Sequence, residues 1–326
     1  PANPAQKQLL REVTAHIDNP NIAIVVLDTD LSIIHVMPAT KLLFSDYYVI
    51  EKKPFFNVFR NSLDLEEIRQ LITALKSVDM GYSWSGTLRH KTPTAKTLYT
   101  NTIFLPFFNA SHEVSGFLVH FFDITYGYNN QLRTTFKSIL EAAKLKDNET
   151  GLHNERVAYY SKKMAEYLYE NHVYAQIDPD FIDNIGFLAA MHDVGKIGTP
   201  DYILQKPGKL TNEEYLLIQD HVAIGGFILK DFTAIDKVAE GALYHHERYD
   251  GHGYPRGLVG DEIPIEARII CIADAVDAMN NDRPYRGRQS EEYIRNELIR
   301  ERRKQFDPKL VTIMLSMIDE GILDAD

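Results

Sequence analysis

The side chains best suited to chemistry are imidazoles and carboxylates that recur through the second half of the chain. His192-Asp193 is followed by Lys196 in the run His-Asp-Val-Gly-Lys, where an apolar helical stretch (Ile185, Phe187, Leu188, Met191) stops at Gly195. Glu149 and His153 are four apart, which places a carboxylate and an imidazole on one face of a helical turn. His221 lies in a long helical stretch after Pro207-Gly208, His245-His246 ends another, and Asp274 closes the apolar run Ile269-Ile270-Cys271-Ile272-Ala273. An acid in such a run needs a cation or hydrogen bonds, because an unpaired buried charge is costly. Imidazole and carboxylate are ligands for Mn, Fe or Zn, and a single cysteine, Cys271, leaves no thiolate-rich alternative and no internal disulfide. The candidates Glu149, His153, His192, Asp193, His221, His245, His246 and Asp274 exceed the needs of one ion. Two or three ions sharing a bridging carboxylate and a bridging hydroxide would use them all, and adjacent metals in such sites clamp a phosphoryl group during displacement.

Elements must bring these residues together. The 326 residues are 44% hydrophobic and 25% charged, which is ordinary globular composition and suggests roughly two domains. The net charge of −11 argues against a nucleic-acid polymer as partner, since phosphate backbones are bound by basic stripes. No apolar run reaches membrane-spanning length, and Pro1-Ala2-Asn3-Pro4 lacks the basic and apolar regions of a signal peptide, so no membrane association and a cytoplasmic location are expected. Residues 1–125 read as strands and short helices. Ile22–Leu27 and Ser32–Val36 flank the turn Asp28-Thr29-Asp30, Leu63–Val78 has helical spacing, and three strand-like runs follow at about Tyr82–His90, Lys96–Phe107 and Val114–Ile124. Residues 126–148 read as a connecting helix in which Leu132, Phe136, Ile139 and Ala143 recur at steps of four, three and four. That spacing allows either pairing with a twin helix in a homodimer or packing on the chain's own domain. From 149 to 326 the pattern is helical, with segments at Leu152–Glu170, Phe181–His192, Asn212–Lys230, Thr233–His246, Ile265–Asn280 and Ser290–Lys304, closed by a turn at Phe306-Asp307-Pro308.

Two resemblances follow. The order of two strands, helices and three strands, with Trp84-Ser85-Gly86 on the third strand and a terminal Asp123-Ile124-Thr125, resembles a PAS sensor domain; Met37-Pro38 stands where many PAS domains carry Asn. The series Glu149-Thr150-Gly151-Leu152-His153, His192-Asp193-Val194-Gly195-Lys196, His221, His245-His246-Glu247-Arg248-Tyr249-Asp250-Gly251-His252-Gly253-Tyr254-Pro255, Asp274 and Asp282-Arg283-Pro284-Tyr285-Arg286 closely resembles the HD-GYP domain, a subgroup of the HD phosphohydrolases associated with cyclic di-GMP hydrolysis. The implied architecture is an N-terminal α+β PAS-like sensor, a linking helix and a C-terminal all-α bundle, and because a PAS-like domain followed by such a helix resembles many signalling proteins, a homodimer through residues 126–148 is expected. The sensor is expected to hold no organic cofactor, and Cys271 lies too far away for a cysteinyl-flavin photosensor.

Carried over by resemblance, His153, His192, Asp193 and Asp274 match one metal's ligands, with Asp193 bridging to a second metal held by His221 and His245. Glu149 and His246 match the extra ligands of three-metal members, and iron or manganese is the implied metal. Three divalent ions against the carboxylates of Glu149, Asp193 and Asp274 leave a net positive site suited to a phosphodiester. Lys196, Arg283 and Arg286 add donors; the second Arg replaces the Lys common in the family. The expected reaction is attack of a bridging hydroxide on one phosphorus, with Lys196 stabilising charge or donating a proton, giving pGpG and then GMP. Asp193 and Lys196 are the catalytic expectation. Gly253 and Tyr254 fit a loop over the substrate, a docking surface for diguanylate cyclases or a plain structural turn. Cyclic GMP-AMP is the alternative substrate, and a non-catalytic dinucleotide receptor is the alternative function.

Overall fold

The computed structural model describes residues 23–324, apart from 48–49, 61, 63–64, 77–82, 93–96, 110, 145, 147–149, 231–236 and 283–286. The chain divides into two compact units, Pro1–Leu132 and Arg133–Asp326. Among the described residues, no helix is long and apolar enough to cross a membrane.

The first unit is an antiparallel sheet with short helices on one face, the PAS-like arrangement. Strands β1 (Ala23–Leu27), β2 (Ile33–Val36), β3 (Trp84–Lys91), β4 (Thr97–Phe108) and β5 (Val114–Asp123) are ordered β2-β1-β5-β4-β3. The β1–β2 turn is stapled by Asp28, whose Oδ1 accepts from the amides of Asp30 and Ser32. Helices α1 (Pro38–Leu43), α2 (Phe55–Val58) and α3 (Leu65–Lys76) lie between β2 and β3 in sequence. Pro38 accounts for the departure at Met37-Pro38: it occupies the first turn of α1, where its missing N–H costs nothing. At the other end Asp123 Oδ1 accepts from Thr125 N, and Ile124 N donates to Tyr99 O, tying the close of β5 to β4.

The core of this unit is aromatic, with Phe44, Phe55, Phe59, Phe104 and Phe121 buried together. One imidazole is sealed inside it. His90 lies with its ring edge-on to those of Phe44, Phe59 and Phe121, while Nδ1 meets Ser62 Oγ at 2.8 Å and Nε2 meets Thr100 Oγ1 at 2.7 Å. Hydroxyls thus satisfy both nitrogens, and burial pushes the His90 pKa down to about 3.

Helix α4 (Thr125–Lys144) follows β5 directly in sequence. Within the second unit Phe136 and Ala143 are buried, and the Phe136 ring lies 6.4 Å from that of Phe187. Phe136 thus meets its own helical unit at Phe187.

The second unit is all-helical: α5 (Thr150–Glu170), α6 (Pro179–Ala190), a 3₁₀ turn at Val194–Gly198, α7 (Asp201–Leu204), α8 (Asn212–Leu229), α9 (Val238–Tyr244), α10 (Ile265–Asn280), α11 (Glu291–Arg300) and α12 (Pro308–Asp319). Caps explain several starts. Asp178 accepts from Phe181 N before Pro179, Thr211 and Glu214 form a reciprocal capping box, and Ser290 caps α11. Helix α10 is buried on almost every side and packs against α5, α6, α9, α11 and α12. The sequence reading needs three corrections. Helix α6 ends at Ala190, so His192 and Asp193 occupy the turn beyond it. Helix α11 stops at Arg300; of the expected segment Thr233–His246, α9 spans Val238–Tyr244 and residues 233–236 lie outside the described residues. Phe306-Asp307-Pro308 opens α12 rather than closing the bundle: Asp307 caps that helix through Lys309 N and receives Arg268 and Tyr174.

A pH dependence follows from His90. The unfolded chain protonates this residue near 6.5, whereas the fold excludes the proton until about pH 3. Stability therefore falls as pH drops through that window, by about 1.4 kcal/mol per pH unit. Trp84 is the chain's single tryptophan and packs on Phe104 in this unit. Denaturant unfolding followed by its fluorescence should show the slope in the full chain and lose it in His90→Gln; parallel pH profiles would contradict the assignment.

Candidate metal centre

The expected ligands are scattered over α5, the turn after α6, α8, the end of α9 and α10, and the fold gathers seven of them in two groups. Asp193, His221, His245 and His246 offer ligand atoms within 4.8 Å of one another, and so do His153, His192 and Asp274. Asp193 stands between the groups. Its Oδ1 is 3.3 Å from His221 Nε2 and 3.8 Å from His245 Nε2, while its Oδ2 is 3.3 Å from His192 Nε2. Lys196, one turn on, brings Nζ to 2.7 Å from the same Oδ2. Glu149, Arg283 and Arg286 lie outside the described residues.

The backbone sets the tautomers. His192 Nδ1 donates to Ala189 O at 2.7 Å, His221 Nδ1 to Ile218 O at 2.6 Å and His245 Nδ1 to Ala242 O at 2.8 Å. A carbonyl only accepts, so each Nδ1 carries the proton and each neutral ring presents a bare Nε2 to the centre. His221 Nε2 and His245 Nε2 then face each other at 3.4 Å as two lone pairs, and His192 Nε2 is buried with no hydrogen-bond partner. Converging lone pairs beside a buried carboxylate are an arrangement that a shared cation relieves, so the donor set fits divalent metal.

The electrostatics agree. Burial lowers the pKa of His221, and with help from neighbouring imidazoles it holds His245 well below the usual range and His246 at about 4, which keeps these rings in the neutral, ligating form. Burial opposes ionisation of Asp193, but Lys196, His192 and His221 outweigh it and keep the carboxylate well below its ordinary pKa. His192 is the exception: burial opposes its charging, yet Asp193 more than offsets it and raises that pKa, an attraction that a cation bound at the same place would take over.

One glycine makes the close approach possible. A Cβ on Gly195 would stand 1.8 Å from His221 O and 2.5 Å from Gly225 N, so only glycine lets the 3₁₀ turn press against α8 and deliver Asp193 to His221.

The Gly253-Tyr254-Pro255 loop folds back on the ligands. Tyr254 stacks on His246 with ring centroids 4.9 Å apart, and Tyr254 N donates to His246 O. A Cβ on Gly253 would collide with Arg248 N at 2.3 Å and His246 O at 2.6 Å. Buried Glu247 receives Arg256 N and Leu258 N, clamping the loop to the helix end that carries His245 and His246. His252 points outward with an exposed side chain.

Asp277 and Arg156 were missed in the sequence. His153 Nδ1 donates to Asp277 Oδ2 at 2.6 Å, which leaves His153 Nε2 facing Asp274 Oδ1 at 3.4 Å. Asp277 is 1% exposed and also receives Arg156 and Asn281. Burial opposes its ionisation, and His153 and Arg156 overcome it, lowering its pKa. The available signal was the spacing of Asp277 one turn after Asp274 on a helix.

A helical unit whose buried histidines and carboxylates converge in this way defines a candidate metallohydrolase scaffold. A family model described as HD domain matches residues 142–310, and the chain belongs to that family, with the HD-GYP motif series and an N-terminal PAS-like domain. The chain is 41% identical over 199 residues to the 3′3′-cGAMP-specific phosphodiesterase 2 of Vibrio cholerae, covering 59% of this chain and 36% of that protein. It is also 41% identical over 180 residues to a cyclic di-GMP phosphodiesterase of Thermotoga maritima, covering 55% of this chain and 47% of that one. The chain thus spans less than half the length of these two relatives. Among solved structures, the PAS domain of a Colwellia psychrerythraea protein matches with 20% identity and a TM-score of 0.29, covering 36% of this chain and 98% of that one.

Two substitutions probe this geometry. Gly195→Ala should separate Asp193 from His221 and reduce bound metal in purified protein; full metal content would contradict the close-approach argument. Asp277→Asn should weaken metal binding by about ten- to a hundredfold, as loss of an outer carboxylate partner does. Equilibrium dialysis against graded metal buffers measures it, and an unchanged affinity would remove Asp277 from the site.

Proposed function

We propose that this chain is a metal-dependent phosphodiesterase for cyclic dinucleotides. The observation that carries the reading is Asp193, which turns one carboxylate oxygen to each of the two ligand groups and so is placed to bridge two ions. The HD family and the two phosphodiesterase relatives support it. In this reading His153, His192, Asp193 and Asp274 hold one ion, Asp193, His221 and His245 a second, and His246, with Glu149, a third where three are bound.

Divalent ions in these positions supply positive charge for a phosphodiester and acidify a water for attack. The chain's own residues do the rest. Bare Nε2 atoms and Asp193 fix the positions of that charge, and the tautomer locks cost no reorganisation when substrate arrives. Lys196 Nζ stands 2.7 Å from Asp193 Oδ2, within reach of a phosphate held there. It neutralises charge on a non-bridging oxygen or passes a proton to the departing 3′-oxygen. One P–O bond forms to water's oxygen and the P–O3′ bond breaks, so a cyclic di-GMP ring opens to pGpG, and a second hydrolysis yields GMP. Tyr254, stacked on His246, places an aromatic face beside the site on which a base can rest.

The test is anaerobic incubation of metal-analysed protein with cyclic di-GMP and with cyclic GMP-AMP separately, the products being resolved by chromatography. Linear dinucleotide should accumulate from at least one substrate, and the double substitution His192→Ala, Asp193→Ala should abolish it. Turnover that survives this substitution would refute the mechanism; tight binding without turnover by metal-loaded protein would make the chain a receptor.

A further inference from the structure

The 3₁₀ turn that carries Lys196 is held from two sides. Gly195 and Gly198 press it against α8, where their nearest neighbours are His221, Gly225 and Ile224. On another side is Lys146, two residues beyond α4, whose Nζ donates to Ile197 O at 2.8 Å and lies 3.5 Å from Asp201 Oδ1. Ile197 is in the last turn of the 3₁₀ helix, where carbonyls lack intrahelical partners and a cation is favoured. Upstream, Arg133 of α4 lies over the Phe187 ring at 4.9 Å, and Phe136 packs on the same ring. Phe187, in the last turn of α6, precedes His192 by five residues, and Ile197 follows Lys196 directly. The part of α4 from Arg133 onward, with Lys146, therefore contacts the chain on either side of the segment His192–Lys196, at Phe187 before it and at Ile197 after it.

We propose that Lys146 is a positioning residue for the site: by binding the Ile197 carbonyl it fixes the turn on which Lys196 reaches Asp193. Among the described residues it touches none of the expected ligands and acts through the backbone of the turn. Because it stands just past the helix that follows the sheet domain in sequence, any displacement of that helix end would alter the geometry of Lys196. The kinetic consequence rests on the hydrolysis proposed above; the structural consequence does not.

The full chain carrying Lys146→Met, compared with wild type and with Lys146→Arg, tests this. Within the turn, Val194 N donates to Met191 O, Lys196 N to Asp193 O and Thr199 N to Lys196 O. In Lys146→Met, hydrogen exchange of these amides should rise about ten- to a hundredfold, as loss of a charged hydrogen bond implies. Exchange in α10 and α12 and the metal content should stay as in wild type. The kcat for the cyclic dinucleotide should fall about tenfold or more with a smaller change in KM, and Lys146→Arg should restore both protection and kcat. Unchanged exchange in the turn would overturn the proposal, as would exchange that rises equally throughout the helical unit. A wild-type chain without turnover would refute the hydrolytic reading alone, and the exchange comparison would still decide for or against Lys146.

Discussion

The helical unit is organised around one repeated hydrogen bond, from a buried histidine Nδ1 to the carbonyl three residues earlier in its own chain. It occurs at His192, His221 and His245. Each bond spends the only proton of a neutral ring on the backbone and leaves Nε2 bare, so local helical geometry decides what the centre presents before any ligand arrives. Three such lone pairs and the Asp193 carboxylate then meet among buried side chains, an arrangement that is unfavourable until positive charge enters it. Lys196 supplies part of that charge at Asp193. The remaining demand explains why the site reads as a metal centre rather than a structural polar network.

The surrounding architecture keeps these donors close. Gly195 removes the only side-chain atom that would hold the Asp193 turn away from α8. Glu247 receives two backbone amides of the loop that follows, and that loop returns Tyr254 to the face of His246. Asp277 does for His153 what carbonyls do for the other three histidines, with Arg156 and Asn281 holding it in place. The Gly-Tyr-Pro signature thus gains a physical role that its residue types alone did not define: it packs on a ligand-bearing helix end.

Much of this was legible in the sequence, for identifiable reasons. The gathering of seven of the candidate ligands could be anticipated because imidazoles and carboxylates are rare in apolar helices and stood in a long ordered series. The antiparallel sheet could be read because alternation and turn residues such as Asp28 are local signals. Asp277 was hidden because a second acid on a helix ordinarily faces solvent, and only the approach of α5 to α10 shows that it faces His153. The extent of α6 was overestimated because apolar spacing continues through Met191, whereas the break comes from the turn that turns His192 inward. Helix α12 was missed because Asp307-Pro308 is as good a helix opening as a chain ending. The contact of Phe136 with Phe187 was not legible because spacing names no partner for an apolar stripe.

The central claim is that bare Nε2 atoms, set by backbone carbonyls, converge on cations that Asp193 bridges. Anomalous diffraction from crystals of the metal-loaded chain tests it most directly. The account predicts one anomalous peak among His153, His192, Asp274 and an oxygen of Asp193, and a second among His221, His245 and the other oxygen of Asp193, with every one of these imidazoles bound through Nε2. Ligation through Nδ1, or a loaded protein with no peak beside Asp193, would contradict it.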